Sequence, residues 1–346
     1  MKILTIILIC SLDSIGKRSY EKYILKNNKN IPKISVFIPI YNKEQYIKRS
    51  IGSIQRQTLK EIEIVAVNDC STDNSLEILK QLAKEDNRIK IINNKENRGL
   101  LFSRAMGILN STGEYLLNLD PDDEFKENDN LEYLYKRTKN SKIDVISFAT
   151  FFKGRNRVML KCRNYHHVQY QPELFSSAFN SSNRLDDYLI WNKLIKKDIY
   201  LKAYEVFKEK VYSDKWNYHE DNIWSILVHK YANSLRCIKK IIYIYNEFPD
   251  SLMKNRFNLI DLNNLIYRHE MYEKIFNSKD DSKYLIPEVL VFFYYIIKMD
   301  VLVELIKNNT EVKYKIKNIL VNFLQNYTCS EFNKNKINEF LSTINK

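Results

Sequence analysis

The sequence predicts an α/β domain of three layers, with a mainly parallel central sheet between helices, followed by a helical C-terminal region. Two observations carry that prediction. From Ile34 onward, short apolar runs alternate with segments of helical periodicity, which is the signature of βαβ units. The early apolar runs also end in polar loops that start at Pro39, Asn68 and Asp120. In open α/β sheets, ligands bind beyond the carboxyl ends of the strands, so these three loops can converge on one site.

The first strand is read as Ile34–Ile38, stopped by Pro39, which has no N–H to give to a ladder. Asn42 is then placed to cap a helix, with Gln45 three residues on as the other half of a capping box. Ile47, Ile51 and Ile54 form the inward stripe of that helix. The second strand, Ile62–Val67, runs into Asn68-Asp69-Cys70-Ser71-Thr72-Asp73. There Ser71, Thr72 or Asp73 can cap a helix that turns Leu76, Leu79 and Leu82 inward. A third strand, Ile89–Ile92, leads to Asn97-Arg98-Gly99 and a helix ending near Asn110. The fourth, Glu114–Leu119, delivers Asp120-Pro121-Asp122-Asp123 at its carboxyl end, and a fifth is Asp144–Phe148. Beyond residue 150 the alternation weakens. A helix is expected from His219, with Ile223, Leu227 and Tyr231 in one stripe, and a strand at Ile238–Tyr245. From Arg256 to Lys346 the pattern is helical and rich in Asn and Lys.

With 45% hydrophobic residues, the 346-residue chain can bury a core and is expected to be globular. Its net charge of +13 favours anionic partners: nucleic acid, acidic lipid headgroups or phosphorylated substrates. No basic block is interleaved with aromatics, so nucleic acid is not an expected partner. The five cysteines are scattered and lack metal-ligand spacing, and are expected to be mostly reduced thiols. Ile3–Leu12 is an apolar run of signal-peptide size. It is shorter than the roughly 20 residues of a membrane-crossing helix, and no Ala-x-Ala-like cleavage site follows it. An anchor, a cleaved signal and a packed helix all remain open for residues 1–16. The expected location is the cytoplasm or the cytoplasmic face of a membrane, with secretory entry through residues 1–16 as the alternative. Leu285–Ile297, interrupted early by Pro287 and Glu288, reads as a buried helix.

The chemistry concentrates in the acidic turn. Two carboxylates one residue apart, after a buried strand, can share a divalent cation with phosphate oxygens, since Mg²⁺ commonly takes one or two carboxylates plus substrate phosphates. Asp69 can accept a hydrogen bond from a nucleobase imide, Tyr41 can stack on a base, and Arg104 can reach a phosphate. Singly, these residues are equally a turn former, a core aromatic and a solvated helix charge. Glu220 and Asp221 open a helix, where the dipole favours carboxylates in any case.

In order and spacing, Val36-Phe-Ile-Pro-Ile-Tyr-Asn42, Val67-Asn-Asp-Cys-Ser-Thr-Asp73, Asn97-Arg-Gly-Leu-Leu-Phe-Ser-Arg104 and Leu119-Asp-Pro-Asp-Asp123 resemble the successive motifs of family-2 glycosyltransferases of the GT-A fold. The resemblance is close over residues 33 to 150. It is looser through Trp191-Asn-Lys-Leu194, His219-Glu-Asp-Asn222 and Tyr243-Ile-Tyr245. It implies 32–250 as the GT-A domain, with a nucleotide-binding half over 32–150 and an acceptor half over 151–250. The polar stretch 13–31 reads as a linker, which makes 1–31 an N-terminal segment and linker, and the helical pattern makes 251–346 a C-terminal helical region.

The resemblance further implies that Pro39, Tyr41, Asn42, Asp69, Gly99, Arg104 and Asp120 line a nucleotide-sugar pocket, and that Asp122 binds a divalent metal, Mn²⁺ or Mg²⁺. Glu220 and Asp221 form the acceptor-side acidic pair, with Asp221 as general base and His219 the lesser candidate. The implied activity is inverting transfer of a sugar from a nucleotide diphosphate, UDP by resemblance, to an acceptor hydroxyl. The acceptor is a glycan, a lipid-linked molecule or a protein, and the basic charge and apolar C-terminal helices add a membrane surface as a peripheral partner. A non-catalytic nucleotide-sugar-binding protein of the same fold is the alternative. A nucleotidyltransferase would need a glycine-rich loop where Tyr41-Asn-Lys-Glu44 stands. Two departures bear on geometry: Cys70 replaces an expected Gly, and Met106 stands where many relatives have Asn.

Overall fold

A computed structural model describes residues 31–139, 142–159, 168–170, 189–213, 220–248, 306–326 and 331–345, with isolated positions between 263 and 303. The apolar segment Ile3–Leu12, His219 and Leu285–Ile297 lie outside the described residues.

Residues 32–150 alternate as expected. β1 (Ile34–Ile40), α1 (Ile47–Gln55), β2 (Ile62–Asn68), α2 (Ser75–Glu85), β3 (Ile89–Asn93), α3 (Leu100–Asn110) and β4 (Tyr115–Asn118) follow one another. Next come β5 (Glu124–Phe125), α4 (Asn130–Lys139), β6 (Val145–Phe152), β7 (Arg157–Met159) and β8 (Gln169–Tyr170). The chain continues through β9 (Lys193–Lys196), α5 (Lys197–Ser213), α6 (Glu220–Tyr231) and β10 (Ser234–Tyr245). Helices α7 (Thr310–Asn326) and α8 (Glu331–Asn345) belong to the C-terminal region. Among the described residues, no helix is long and apolar enough to cross a membrane.

The sheet runs β3-β2-β1-β4-β9-β6-β10-β5. Its first four strands are parallel, as are β6 and β10. β9 enters antiparallel between β4 and β6, and β5 caps the far edge antiparallel to β10, so the sheet is mixed where the two halves meet. Strand alternation gives the sheet two buried faces. Val36, Ile38, Ile64 and Ala66 pack with α1 through Ile47, Ile51 and Ile54, whereas Phe37, Val65 and Val67 pack with α3, α5 and α6. Helix α3 lies so close to the sheet that a Cβ on Gly107 would meet the Phe37 side chain at 2.8 Å.

Two local expectations are corrected. β1 does not stop at Ile38 but runs through Pro39 to Ile40, with Pro39 in register with Val67. Leu119 N donates to Phe37 O and Asp69 N to Ile40 O, so Pro39 points toward β4. The β4 ladder ends at Phe37–Asn118, and no partner there calls for the N–H that proline lacks. Asn42 does not cap α1. That helix starts at Ile47 after Tyr46, without a side-chain cap, and Asn42 is used elsewhere. The thiol expectation fails at Cys237 on β10, which is disulfide-bonded, whereas Cys70 is free.

His229, on α6, is buried, and its Nδ1 lies 2.7 Å from Ser225 O. Burial, with Lys193 adding to it, pushes its pKa from 6.5 down to about 3. The unfolded chain therefore binds a proton below pH 6.5 that the folded chain refuses, and stability is lost as pH falls from there. By pH 5 the loss from this residue is about 2 kcal/mol. His229→Gln, which can keep an amide donor on Ser225 O, is expected to remove that share of the stability difference between pH 7 and pH 5 in urea melts. An unchanged difference would refute the assignment.

Candidate active site

The carboxyl edges of β1, β2 and β4 carry the loops that meet. Asn42, held at a positive φ of 51°, accepts from Thr72 N at 2.8 Å and donates its own N–H to Ser71 Oγ at 3.1 Å. Lys43 N donates to Ser75 Oγ, Glu44 N to Asp73 Oδ2, and Asn74 N to Glu44 Oε2. Asn42 thus clasps the loop after β2, a role its side chain gains by leaving the local cap. Tyr41 beside it is 44% exposed, so its ring faces solvent and not the core.

Asp69 is buried at the end of β2. Its Oδ1 accepts from Asn94 Nδ2 at 2.7 Å and from Arg98 N at 3.0 Å, and its Oδ2 from Gly99 N at 2.8 Å. One carboxylate therefore shapes the turn that begins α3, where Gly99 takes φ 87°. A carboxylate has about four acceptor positions, which leaves room on Oδ2 for one more donor. Cys70, next along, has φ 58°, the left-handed conformation that costs a non-glycine residue about 1–2 kcal/mol. Glycine there loses part of that gain through its freer unfolded chain. Cys70→Gly is expected to stabilise the protein by about 0.5–1 kcal/mol net, read from the denaturant midpoint. A lower midpoint would show that the thiol contributes more than the backbone costs.

The acidic turn after β4 is held by residues distant in sequence, from α1 to the end of β10. Asp123 is fully buried: Tyr243 Oη donates to its Oδ2 at 2.7 Å, and Asn246 N to its Oδ1 at 2.8 Å. Burial, then its neighbours Asp122 and Asp120, hold its pKa well above the usual carboxylate range. Asn246 Nδ2 and Arg49 Nη2 both donate to Asp122 O. That fixed backbone leaves the half-buried side chain of Asp122 facing Lys43, whose Nζ lies 2.8 Å from Oδ2. Burial raises the Asp122 pKa and Lys43 opposes the rise.

Asp120 Oδ1 accepts from Asn118 Nδ2 at 2.9 Å and from Arg104 Nη2 at 3.1 Å. Arg104 is buried, and its Nη1 reaches Glu220 Oε1 at the start of α6. Arg104, read from the sequence as able to reach a phosphate, here braces two carboxylates through Nη1 and Nη2. Burial works against its charge, but Glu220, Asp120 and Asp221 outweigh it. Glu220 is pushed upward by burial, against Arg104, with Asp221 and Asp120 adding to the rise. One cation serves three acids there.

The anticipated residues thus fall into two groups. Tyr41 and Asn42 are exposed, and Asp120, Asp122 and Asp221 are half-buried at the opening. Pro39, Asp69, Gly99, Arg104 and Glu220 are buried beneath them. Sequence reasoning missed Lys43, Arg49 and Asn246 and gave Asp123, though part of the acidic run, no role of its own. Tyr243 carried a signal as part of Tyr243-Ile-Tyr245; its ring packs on Trp191 with centroids 5.0 Å apart.

Among the described residues, no three His, Cys, Asp or Glu side chains gather as a closed metal cage. Asp122, and Asp120 two residues before it, instead fit a hard divalent cation whose remaining ligands are phosphate and water.

A parallel β3-β2-β1-β4 half-sheet, continued by a mixed half and carrying an acidic turn at the carboxyl end of β4, is the architecture of a GT-A glycosyltransferase domain. Residues 35–200 match the glycosyl transferase family 2 model. It is 28% identical to the uncharacterized glycosyltransferase EpsJ of Bacillus subtilis over 229 residues, 64% of this chain and 63% of EpsJ. It is 31% identical to the glycosyltransferase GlyA of Streptococcus pneumoniae over 229 residues, 64% of this chain and 32% of GlyA. The chain therefore spans less than two thirds of either relative. In fold it is similar to TarS residues 1–349 of S. aureus, crystallised with UDP-GlcNAc, with a TM-score of 0.65, 17% identity and 90% of each chain covered.

Proposed function

We propose that the chain is an inverting glycosyltransferase that moves a sugar from a UDP-sugar to an acceptor hydroxyl in glycan synthesis. The observation that carries the reading is the Arg104 brace. It ties Asp120, on the donor-side turn, to Glu220, which adjoins Asp221 at the start of α6, so donor-side and acceptor-side acids are held side by side. The solvent-facing ring of Tyr41 offers a stacking surface for the base, and the spare position on Asp69 suits a uracil imide donor. UDP as the carrier is supported by the fold's likeness to a protein crystallised with UDP-GlcNAc.

Asp221, half-buried in the first turn of α6, takes the acceptor proton as the acceptor oxygen bonds to the anomeric carbon. The glycosidic bond to the diphosphate breaks in the same displacement, and a single displacement inverts the centre. Glu220, enclosed with Arg104, sets the position of Asp221 and stays out of the proton transfer. A divalent cation held at Asp122 would neutralise charge on the departing diphosphate.

The test is a panel of nucleotide sugars with Mn²⁺, Mg²⁺ or chelator, reading released nucleoside diphosphate and, by NMR, the anomeric configuration of the product. Metal-dependent UDP release and an inverted product are expected. A retained configuration, or release equal in chelator, overturns the mechanism.

A further inference from the structure

Lys43 is a charged residue at the opening that the mechanism above leaves unused. Its backbone is pinned by the hydrogen bond from its N–H to Ser75 Oγ at 2.9 Å, and by Asn42 clasping the loop after β2. Its ammonium, at the end of a four-carbon stem, lies 2.8 Å from Asp122 Oδ2, with the two side chains 17% and 22% exposed. The acidic turn does not depend on this contact. Asp122 is held through its carbonyl by Arg49 and Asn246, and Asp123 through its carboxylate by Tyr243 and Asn246. The ammonium, which also lies 5.4 Å from the centroid of the Tyr46 ring, is not what holds the turn in place.

We propose that Lys43 is a resident counter-cation at Asp122, which a divalent metal must displace and which the donor diphosphate then recruits, so that metal and nucleotide bind as a coupled pair. The inference rests on the assignment of Asp122 as metal ligand. The contact itself leads to it. Lys43 Nζ sits on the Asp122 oxygen that a divalent cation would take, so a cation arriving alone must separate the ammonium from its carboxylate in a partly desolvated pocket. The negative oxygens of a sugar diphosphate give the displaced ammonium a new partner. A metal alone therefore meets competition that a metal with diphosphate does not. Such a difference is a coupling free energy, which is reciprocal between the two ligands.

The experiment measures Mn²⁺ binding to the full chain by electron paramagnetic resonance, with and without UDP, in wild type, Lys43→Met, Lys43→Arg and Asp122→Asn. In Lys43→Met, Mn²⁺ alone is expected to bind about tenfold tighter than in wild type, and the gain from adding UDP is expected to shrink by about tenfold or more. Lys43→Arg, which keeps the charge, should keep most of the wild-type coupling. Circular dichroism and the melting temperature of Lys43→Met establish that its fold is retained. If Lys43→Met leaves both the Mn²⁺ affinity and its response to UDP unchanged while Asp122→Asn abolishes binding, the role of Lys43 is overturned and the assignment of Asp122 stands. If Asp122→Asn binds Mn²⁺ like wild type, the metal assignment and the inference fall together.

Discussion

Asp221→Asn is expected to lower the turnover of sugar transfer by about 10²–10⁴-fold, the usual contribution of a positioned base, with UDP affinity within about twofold of wild type. The geometry gives the reason for that split. On the donor side Arg104 spends its hydrogen bonds on Asp120 and Glu220, and Asp221 adds to the field at its guanidinium. Asn keeps the shape and the helix position while removing the acceptor of the proton. Glu220 cannot take over, because it is buried against the guanidinium. The first turn of α6 also favours the ionised carboxylate through the helix dipole, which keeps Asp221 ready to receive a proton. Turnover and UDP affinity, measured side by side, decide the matter. Turnover within tenfold of wild type, or a matching loss of UDP binding, would remove Asp221 from the role of base.

The contrast between Asp221 and Glu220 also marks how far the sequence could be read. The succession of strands along the chain, the polar loops after β1, β2 and β4, and the helices between them were legible because apolar period and chain order are local properties. The two residues of the acidic pair look alike in sequence, and only the third dimension encloses one and opens the other. The same limit explains the errors at Pro39 and Asn42. Whether proline ends a strand depends on how far the neighbouring strand reaches, and β4 stops short. An Asn after a strand can serve its own helix or another loop, and Thr72 supplied the competing partner. Tyr243 and Asn246, which hold Asp123, stand more than a hundred residues from it, so no local pattern announced them. The acidic turn read as a cluster of carboxylates. Its partners Lys43, Arg49 and Arg104 decide which of them stay open.

Arg104→Met is expected to be the most damaging single change at the site, costing about 3–5 kcal/mol of stability because it strands buried Glu220 without a counter-charge. Transfer should fall by about 100-fold or more, since a small misplacement of reacting groups carries that cost. Arg104→Lys should recover only part of either, because an ammonium is a point charge and cannot fork between Asp120 and Glu220 as the guanidinium does. Stability loss alone would explain inactivity trivially, and a second variant separates the causes. Replacing the pair together, Arg104→Met with Glu220→Leu, removes the buried charge along with its partner and should regain most of the lost stability. If the brace positions the acids, this doubly substituted protein melts near wild type yet still transfers sugar about 100-fold more slowly. Its UDP affinity should be weakened through the loosened Asp120. Recovery of transfer together with stability would reduce Arg104 to a structural ion pair and would leave the alignment of the two acid groups to the sheet alone.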